Sequence, residues 1–322
     1  MNRRKAVVKT LLSAAAAAGV AATLAQATVS AGSAKNGQIV YRHFHSLFVV
    51  NADGTGERKL TKPPGGNVVD DQPDWSPDGS TIAFNRCTSS CHVYTVAATG
   101  TGLRQLGPNA DDRSEPAWAP NGKQLAYSRF WGRVVNDQFE QTEIYLMNAN
   151  GGGARAVTSI TQGKPFSADV FHATWSPDGA QLAFEVKNSK QGEPAGRRAV
   201  FVVGADGSGL RQVTPWELNG SAPDWSPDGK LILLRVVGAK EQHGNIYTVH
   251  PDGSALKQLT RYPAPKTLEL GSFSPDGKWI TFSRFSSGGP YPDVFAIRLD
   301  GSGLRQITKS GMNFAPDWSR AR

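Results

Sequence analysis

The sequence predicts an all-β fold: a six-bladed β-propeller of four-stranded blades, closed one-plus-three by the two termini. Three observations lead to it. A Trp-Ser-Pro-Asp-Gly phrase recurs along the chain, a second phrase ending in Leu-Arg-Gln-Leu-Thr alternates with it, and the two ends of the repeat region complement each other. The 35 Gly and 20 Pro among 322 residues agree with many short strands joined by tight turns.

The first phrase is centred on an aromatic residue that precedes Ser-Pro-Asp-Gly or a close variant. Its six aromatic positions are Trp75, Trp118, Trp175, Trp225, Phe273 and Trp318. In the first five copies the next apolar anchor follows nine residues later, as from Trp75 to Phe84. This fixed spacing indicates two strands joined by an Asx-Gly turn, and it places the aromatic residues in the core between blades.

The second phrase also occurs six times and has its own fixed length. From its aromatic or apolar anchor to its end there are always 13 residues, as from Phe48 to Thr61 and from Phe295 to Thr308. All variation in length therefore falls in two connections per repeat. Two fixed strand pairs in each repeat of roughly 43–57 residues are typical of a propeller blade.

The two ends of the repeat region supply complementary parts of one blade. The segment Lys35–Tyr41 matches Pro120–Tyr127 and predicts the three outer strands, while Phe314–Arg320 predicts an inner strand. Joined, they form a sixth blade and remove the open sheet edges. An open solenoid, the rival architecture, would need a polar cap at each end.

The N-terminal segment is predicted to be a secretory signal over residues 1–27. A basic start is followed by an Ala-rich apolar run, Leu11–Leu24, and by the small-residue site Ala25–Ala27. Residues 28–35 form a short connecting segment, and 36–322 form one propeller domain. Arg3 and Arg4 loosely match a twin-arginine signal, so the export route stays open, as does retention of the segment as a membrane anchor. We expect export to the periplasm or beyond, with no transmembrane span after cleavage.

The charge distribution of the chain argues against nucleic acid as a partner. The formal net charge is +8, but cleavage after Ala27 would leave 31 basic against 27 acidic residues. No block of five or more Lys or Arg remains, so we expect no nucleic-acid binding. We also expect a monomeric protein.

The two cysteines, Cys87 and Cys91, are separated by three residues. In an oxidising compartment this spacing favours a small structural disulfide. Two thiolates without a nearby His or Cys do not complete a tetrahedral metal site, and a redox motif would have two intervening residues.

With these repeats, the chain resembles the TolB-like, WD40-like (PD40) propeller repeat family over residues 36–322. The resemblance implies a propeller alone, because the sequence leaves no room before Gln38 for the α/β domain that precedes the propeller in TolB. PD40 propellers also accompany serine peptidases of the prolyl-oligopeptidase kind. The Gly-x-Ser-x-Gly elbow of those enzymes is not found in this sequence.

Strand alternation separates the connections onto two faces. The Asx-Gly turns fall on one face, and the variable connections fall on the other, where binding residues of repeat scaffolds are usually found. Acidic residues and one histidine enter the inner strands from this second face and are predicted to line the channel mouth: Asp71, Asp112, Glu115, Asp169, His172 and Glu269. Trp131 and Tyr291 do not follow the repeat and are predicted to serve as aromatic contacts for a ligand.

Two functions are compatible with this pattern. We expect a binding or scaffolding module that takes a protein partner or a small or glycan ligand on the variable face. The alternative is a carbohydrate-active or other hydrolase or lyase that uses carboxylates, or a divalent cation held by them, at the channel mouth. No cofactor is otherwise predicted, and each single carboxylate could instead cap a turn.

Overall fold

The computed structural model describes residues 36–108, 112–135, 138–160, 168–188, 196–237, 244–262, 268–285 and 291–320. They lie in one compact unit, Ser33–Arg322. Within these ranges the chain forms 24 strands and one 3₁₀ turn, Trp216–Leu218, and the strands make six four-stranded antiparallel sheets. The predicted six-bladed β-propeller is therefore confirmed. The described residues contain no helix long and apolar enough to cross a membrane.

Each blade contains two strands of six residues or more beside its inner strand, and a two-residue outer strand. The first three strands of the chain are β1 (Asn36–His43), β2 (Ser46–Asn51) and β3 (Arg58–Lys59). Blade 1 contains β4 (Val69–Trp75), β5 (Thr81–Cys87), β6 (Cys91–Ala97) and β7 (Arg104–Gln105). Blade 2 contains β8 (Asp112–Trp118), β9 (Gln124–Val135), β10 (Gln138–Asn148) and β11 (Arg155–Ala156).

The remaining blades repeat this order. Blade 3 contains β12 (Ala168–Trp175), β13 (Gln181–Asn188), β14 (Arg198–Gly204) and β15 (Arg211–Gln212). Blade 4 contains β16 (Gly220–Trp225), β17 (Ile232–Val237), β18 (Gly244–Val249) and β19 (Lys257–Gln258). Blade 5 contains β20 (Leu268–Phe273), β21 (Trp279–Phe285), β22 (Pro292–Arg298) and β23 (Arg305–Gln306).

Blade 6 closes the ring as the sequence predicts. Strand β24 (Asn313–Arg320) is its inner strand and pairs with β1 in the sheet order β24-β1-β2-β3. In this antiparallel pair Ile39 lies opposite Trp318. The one-plus-three closure thus joins residues about 280 positions apart in sequence, since the backbone N–H of Gln38 also donates to Ser319 Oγ at a separation of 281 residues.

The core lies between blades. Six hydrophobic clusters each combine residues of two neighbouring blades, for example Val40 and Leu47 of blade 6 with Trp75 and Phe84 of blade 1. The motif residues Trp75, Trp175, Trp225, Phe273 and Trp318 are 5–8% exposed. The first repeated phrase therefore supplies the apolar surface that holds one blade against the next.

We call the face with the Asx-Gly turns the turn face. Its polar groups bond within the repeat: the Ser76 hydroxyl donates to Asp78 Oδ1 at 2.6 Å, and the Ser80 N–H donates to the same oxygen at 2.9 Å. These hydrogen bonds lower the pKa of Asp78. The Asp-Gly-Ser-Gly segment at Asp206 is likewise a turn, with the Ser208 N–H 2.9 Å from Asp206 Oδ1.

Bonds between blades also occupy the turn face. The Arg58 guanidinium donates to the Ala98 carbonyl at 2.6 Å, and Arg155 donates to the Ala205 carbonyl at 2.8 Å. Each arginine comes from an outer strand and reaches the turn of the following blade. This contact explains why Arg recurs in the second phrase.

The opposite face carries the connections between second and third strands and between blades, and we call it the long-loop face. Cys87 and Cys91 face each other at the end of the β5–β6 hairpin on this side and form a disulfide. The hairpin loop between them is only three residues long.

Candidate functional site at the channel mouth

The inner strands share a backbone feature that points one side chain per blade into the channel. Each has a register irregularity before its motif aromatic, and the residue three positions before that aromatic defines what we call the bulge position. Five bulge residues have φ between 45° and 56°: Gln72, Glu115, His172, Ala222 and Ala315. All five line a central cavity of about 120 Å³.

A hydrogen bond from the preceding blade holds several of these bulges. The Glu115 N–H donates to Asn85 Oδ1 at 3.3 Å, and the Ala222 N–H donates to Glu185 Oε2 at 3.0 Å. Asn85 and Glu185 occupy equivalent positions, immediately after the apolar anchor of the second strand. A polar acceptor at this position thus satisfies a backbone group that the bulge removes from the sheet.

His172 lies between two carboxylates of neighbouring strands. Its Nε2 is 3.3 Å from Glu115 Oε1, and its Nδ1 is 3.4 Å from Glu185 Oε2. The backbone N–H of His172 also donates to Glu115 Oε2 at 2.8 Å. Burial opposes protonation of this imidazole, but Glu115 and Glu185 together raise the pKa of His172 to about 9. His172 is therefore a cation at neutral pH.

Glu185 completes a charged row across the channel mouth. It is buried, and its Oε1 accepts from Arg198 Nε at 3.1 Å. Burial disfavours the charged form, yet the bonds from His172 and Arg198 lower the pKa of Glu185. The row Glu115–His172–Glu185–Arg198 alternates in sign, so it is a preorganised set of paired charges.

The mouth has two further carboxylates, Asp71 from blade 1 and Glu269 from blade 5. Asp71 Oδ1 is 3.0 Å from Arg42 Nε, and the Arg42 guanidinium lies 4.2 Å from the centre of the Phe314 ring. Burial raises the pKa of Asp71, although Arg42 opposes the shift. Glu269 is exposed to solvent, yet the protein around it and the Asp71 carboxylate raise its pKa.

The surroundings of Asp112 and Asp169 differ from those of the other predicted mouth residues, which are Asp71, Glu115, His172 and Glu269. Asp112 Oδ1 accepts the Cys91 N–H at 2.8 Å, as the equivalent Asn219 accepts the Arg198 N–H at 3.0 Å. Asp169 is 8% exposed, and its Oδ2 is 3.3 Å from Lys187 Nζ. The structure thus joins Asp71, Glu115, His172 and Glu269 around the mouth and gives Asp112 a contact that ties two blades together.

Two exposed aromatic residues lie on the long-loop face beside blade 6. Tyr291 is 50% exposed, and a Cβ added at Gly311 would stand 3.2 Å from Tyr291 Cβ. Phe44 is 49% exposed, and its N–H donates to the Met312 carbonyl. Sequence reasoning singled out Tyr291 and missed Phe44. Trp131 pairs through its backbone with Gln141, and its side chain lies outside the described part of the structure.

Three buried carboxylates that sequence reasoning did not single out lie deeper in the channel, between its mouth and the turn face. We call this part of the channel the waist. Asp74, Asp224 and Asp317 directly precede a motif Trp, and each accepts the N–H of the motif aromatic in the next blade. These N···O distances are 2.6, 2.8 and 2.8 Å. They lie where the mouth cavity meets a second cavity of about 180 Å³ on the turn face.

Burial controls the protonation of these waist carboxylates. It raises the pKa of Asp224 to about 7 and that of Asp74 well above its usual value, with the Asp317 carboxylate adding to both shifts. The repeated Pro-Asp-Trp triplet was the signal that could have located them. As a group, these Asp residues join neighbouring blades through hydrogen bonds close to the channel axis.

A metal site remains a prediction. Among the residues with described placement, no three His, Cys, Asp or Glu are arranged to hold a metal ion. His172 would have to lose its proton before it could coordinate a cation. Carboxylate oxygens of Asp71 and Glu269 are the donors that a hard cation would use here.

Comparisons with known proteins support the fold. No protein-family model matches the chain. Among curated proteins, it is 30% identical over 123 residues to the uncharacterized peptidase YuxL of Bacillus subtilis, covering 38% of this chain and 17% of the relative. It is 28% identical over 101 residues to the Tol-Pal system protein TolB of Alcanivorax borkumensis, covering 31% of this chain and 21% of the relative.

Among solved structures, TolB from Acinetobacter baumannii superposes with a TM-score of 0.68 at 17% identity, over 88% of this chain and 66% of that chain. The aligned region spans less than half the length of each curated relative named above. The fold is that of a TolB-like propeller, and the resemblance seen in the repeats is confirmed at that level.

Proposed function

We propose that the protein is an exported binding module of the cell envelope or extracellular space, which engages a protein partner through the channel mouth and the long-loop face. The observation that carries the proposal is the preorganised row of charges around His172. It lies on the face that also exposes Phe44 and Tyr291. Exposed aromatics beside fixed charges are typical of protein-binding surfaces.

Two further lines support this proposal. The turn face uses its polar groups for bonds within and between blades, so the long-loop face is the better candidate for a partner. The relatives include Tol-Pal system proteins named TolB, and the N-terminal sequence has the pattern of an export signal.

A second function is favoured by one observation. Asp71 and Glu269 have raised pKa values at a channel mouth, which is where a general acid would be placed in a hydrolase or lyase. His172, by contrast, is held as a cation and would not act as a base at neutral pH. Chelator-sensitive turnover of a glycan or peptide would favour this alternative.

The test is an affinity capture from native envelope extract with residues 28–322. The test variant carries Phe44→Ala and Tyr291→Ala, two exposed positions on the long-loop face. The matched control carries Lys230→Gln and Leu210→Ala on the turn face, where Leu210 is 46% exposed. We expect a protein retained by the parent and the control but reduced about tenfold by the test variant. Identical retention by all three forms would refute the proposal.

A further inference from the structure

Arg235 occupies a position where blades 1 and 3 place a hydrogen-bond acceptor. It follows the apolar anchor Leu234 in β17, as Asn85 and Glu185 follow theirs in β5 and β13. Those residues accept the bulge N–H of the next blade. A guanidinium has only donors, so Arg235 cannot make this bond and its side chain must have another purpose.

The guanidinium of Arg235 has no protein partner among the described residues. Its Nε is buried and makes no hydrogen bond. Arg42, at the same position in blade 6, is paired with Asp71, and the nearby Arg198 is paired with Glu185. A buried donor on a charged group without a partner is costly.

Among the residues that the structure describes, no counter-charge contacts Arg235. Ser221 lies opposite it in the β16–β17 pair, and the next residue, Ala222, lines the channel cavity. Blades 2 and 3 have Glu115 and His172 at the position of Ala222. Burial lowers the pKa of Arg235, and the nearby Arg198 adds to the effect while Glu269 and Glu185 oppose it.

Gly244 leaves the space that the Arg235 side chain occupies. A Cβ added at this glycine would collide with the Nε, Cγ and Cδ atoms of Arg235. The absence of a side chain at the start of β18 therefore provides the space in which the arginine lies.

We propose that the channel mouth contains a carboxylate-binding site built on Arg235. The planar guanidinium matches a carboxylate with two parallel hydrogen bonds, and burial of its Nε strengthens them. The inference deepens the proposed function and rests on it only for the choice of this face. The carboxylate would come from an acidic polypeptide segment or from a small acid, and the chemistry at Arg235 is the same for both.

Glu269 is the internal competitor for this site. It is exposed, and it interacts with Arg235 through charge without forming an ion pair within 4 Å. A rotation of Glu269 toward Arg235 would satisfy the guanidinium within the protein. Replacing Glu269 by Gln removes this competitor and a repulsive charge, and so separates the two possibilities.

The experiment is calorimetric titration of the mature chain at low ionic strength. The probes are an N-acetylated, C-amidated hexaglutamate peptide, trigalacturonate as a small acid, and the uncharged hexaglutamine peptide. We expect one carboxylate probe to bind the parent and to lose about tenfold or more in affinity in Arg235→Gln. Lys230→Gln, in the same blade on the turn face, should bind within twofold of the parent.

Each outcome decides the question. Dependence of hexaglutamate binding on Arg235 supports a polypeptide carboxylate, and dependence of trigalacturonate binding alone supports a small acid. Equal affinity in Arg235→Gln, equal binding of hexaglutamine, or no binding of either acid overturns the site. Affinity in Glu269→Gln should be at least that of the parent, and a lower affinity would also count against the site.

A stability measurement separates binding from a structural role. Without ligand, Arg235→Gln should unfold at the same urea concentration as the parent or a higher one, because it removes a partly buried charge with no ion-pair partner among the described residues. A large loss of stability would show that Arg235 supports the fold instead. If the site fails while capture of a partner still depends on the long-loop face, the proposed function stands without it.

Discussion

The two faces of this propeller use the same residue types for different ends. On the turn face, Asp78 accepts bonds from its own turn, and these bonds lower its pKa. At the waist and mouth, burial raises the pKa of Asp224, and the surrounding protein raises the pKa of the exposed Glu269. The repeat encodes the first environment at an Asp or Asn turn in blades 1 to 5, whereas the charges at the mouth differ from blade to blade. Polar residues that recur in the repeat therefore indicate a structural role, whereas polar residues that differ from blade to blade indicate the candidate site.

The largest expected effect compares Asp224 with Asp228, four residues apart in blade 4. Burial raises the pKa of Asp224 to about 7, so its contribution to stability is present below its unfolded pKa and is lost as pH rises through 7. Asp224→Asn should therefore gain stability over the parent between about pH 4 and pH 8, by on the order of 2–4 kcal/mol. Urea unfolding at several pH values measures the difference.

Asp228→Asn is the control of opposite sign. Burial opposes ionisation of Asp228, but hydrogen bonds from Ser226 and Lys230 outweigh it and lower its pKa. Its stabilising contribution is present above the unfolded pKa and is lost as pH falls through the lower folded value. The variant should therefore lose stability near neutral pH and match the parent in acid. The same pH trend in both variants would contradict the contrast between the faces.

The second effect tests contacts between blades on the turn face. Gly253 has φ of +88°, and a Cβ there would stand 2.7 Å from the Val213 carbonyl oxygen of the preceding blade. We expect Gly253→Ala to lower the free energy of unfolding by about 3 kcal/mol, because backbone strain and a collision combine. Urea unfolding gives the value.

Gly209→Ala is the matched control. Its φ is +65°, but a Cβ there would meet nothing within 4 Å. Only the left-handed backbone is then strained, so the loss should be about 1 kcal/mol. Equal losses in the two variants would show that the blade contact at Gly253 contributes nothing.

The third effect concerns the charged row at the mouth. Glu185→Gln removes one of the two carboxylates that favour the imidazolium, so the pKa of His172 should fall from about 9 by one unit or more. A titration followed by NMR of the imidazole nitrogens measures it. Glu217→Gln, in the 3₁₀ turn, is the control and should leave the titration of His172 unchanged. An unchanged pKa in Glu185→Gln would mean that the row is not electrostatically coupled.

The smallest effect concerns the exposed leucines of the second phrase. Leu103, Leu210, Leu256 and Leu304 are 42–47% exposed at equivalent positions. Leu210→Asn should change the free energy of unfolding by less than about 0.5 kcal/mol, since little apolar surface is buried there. A loss above 1 kcal/mol in urea unfolding would show that this face has packing beyond its repeated bonds.

The sequence was sufficient for the fold because each blade repeats the same local instructions. Trp75 and Phe84 keep a spacing that every full repeat shares, and the halves of blade 6 match known parts of other blades. The position of Asp71, Glu115, His172 and Glu269 followed from strand direction alone. Their roles in binding remain predictions.

The rest of the site depended on contacts that no local pattern carries. Asp112 was grouped with the mouth, yet its carboxylate meets Cys91 of the previous blade because it lies six residues before the motif aromatic. Glu185 and Arg235 were missed because they lie in second strands, where they looked like ordinary strand residues. Glu185 and Arg235 reach the channel through the packing of one blade against the next, which no local sequence pattern specifies.

The pairing of β24 with β1 also determines when the ring can close during synthesis of the chain. Asp317, the acceptor for the Trp75 N–H, is synthesised after all of the other described blades are complete. Until then β1 presents an unpaired edge, and the bond that joins the last blade to the first is missing. The nascent ring is thus an open arc until β24 is made.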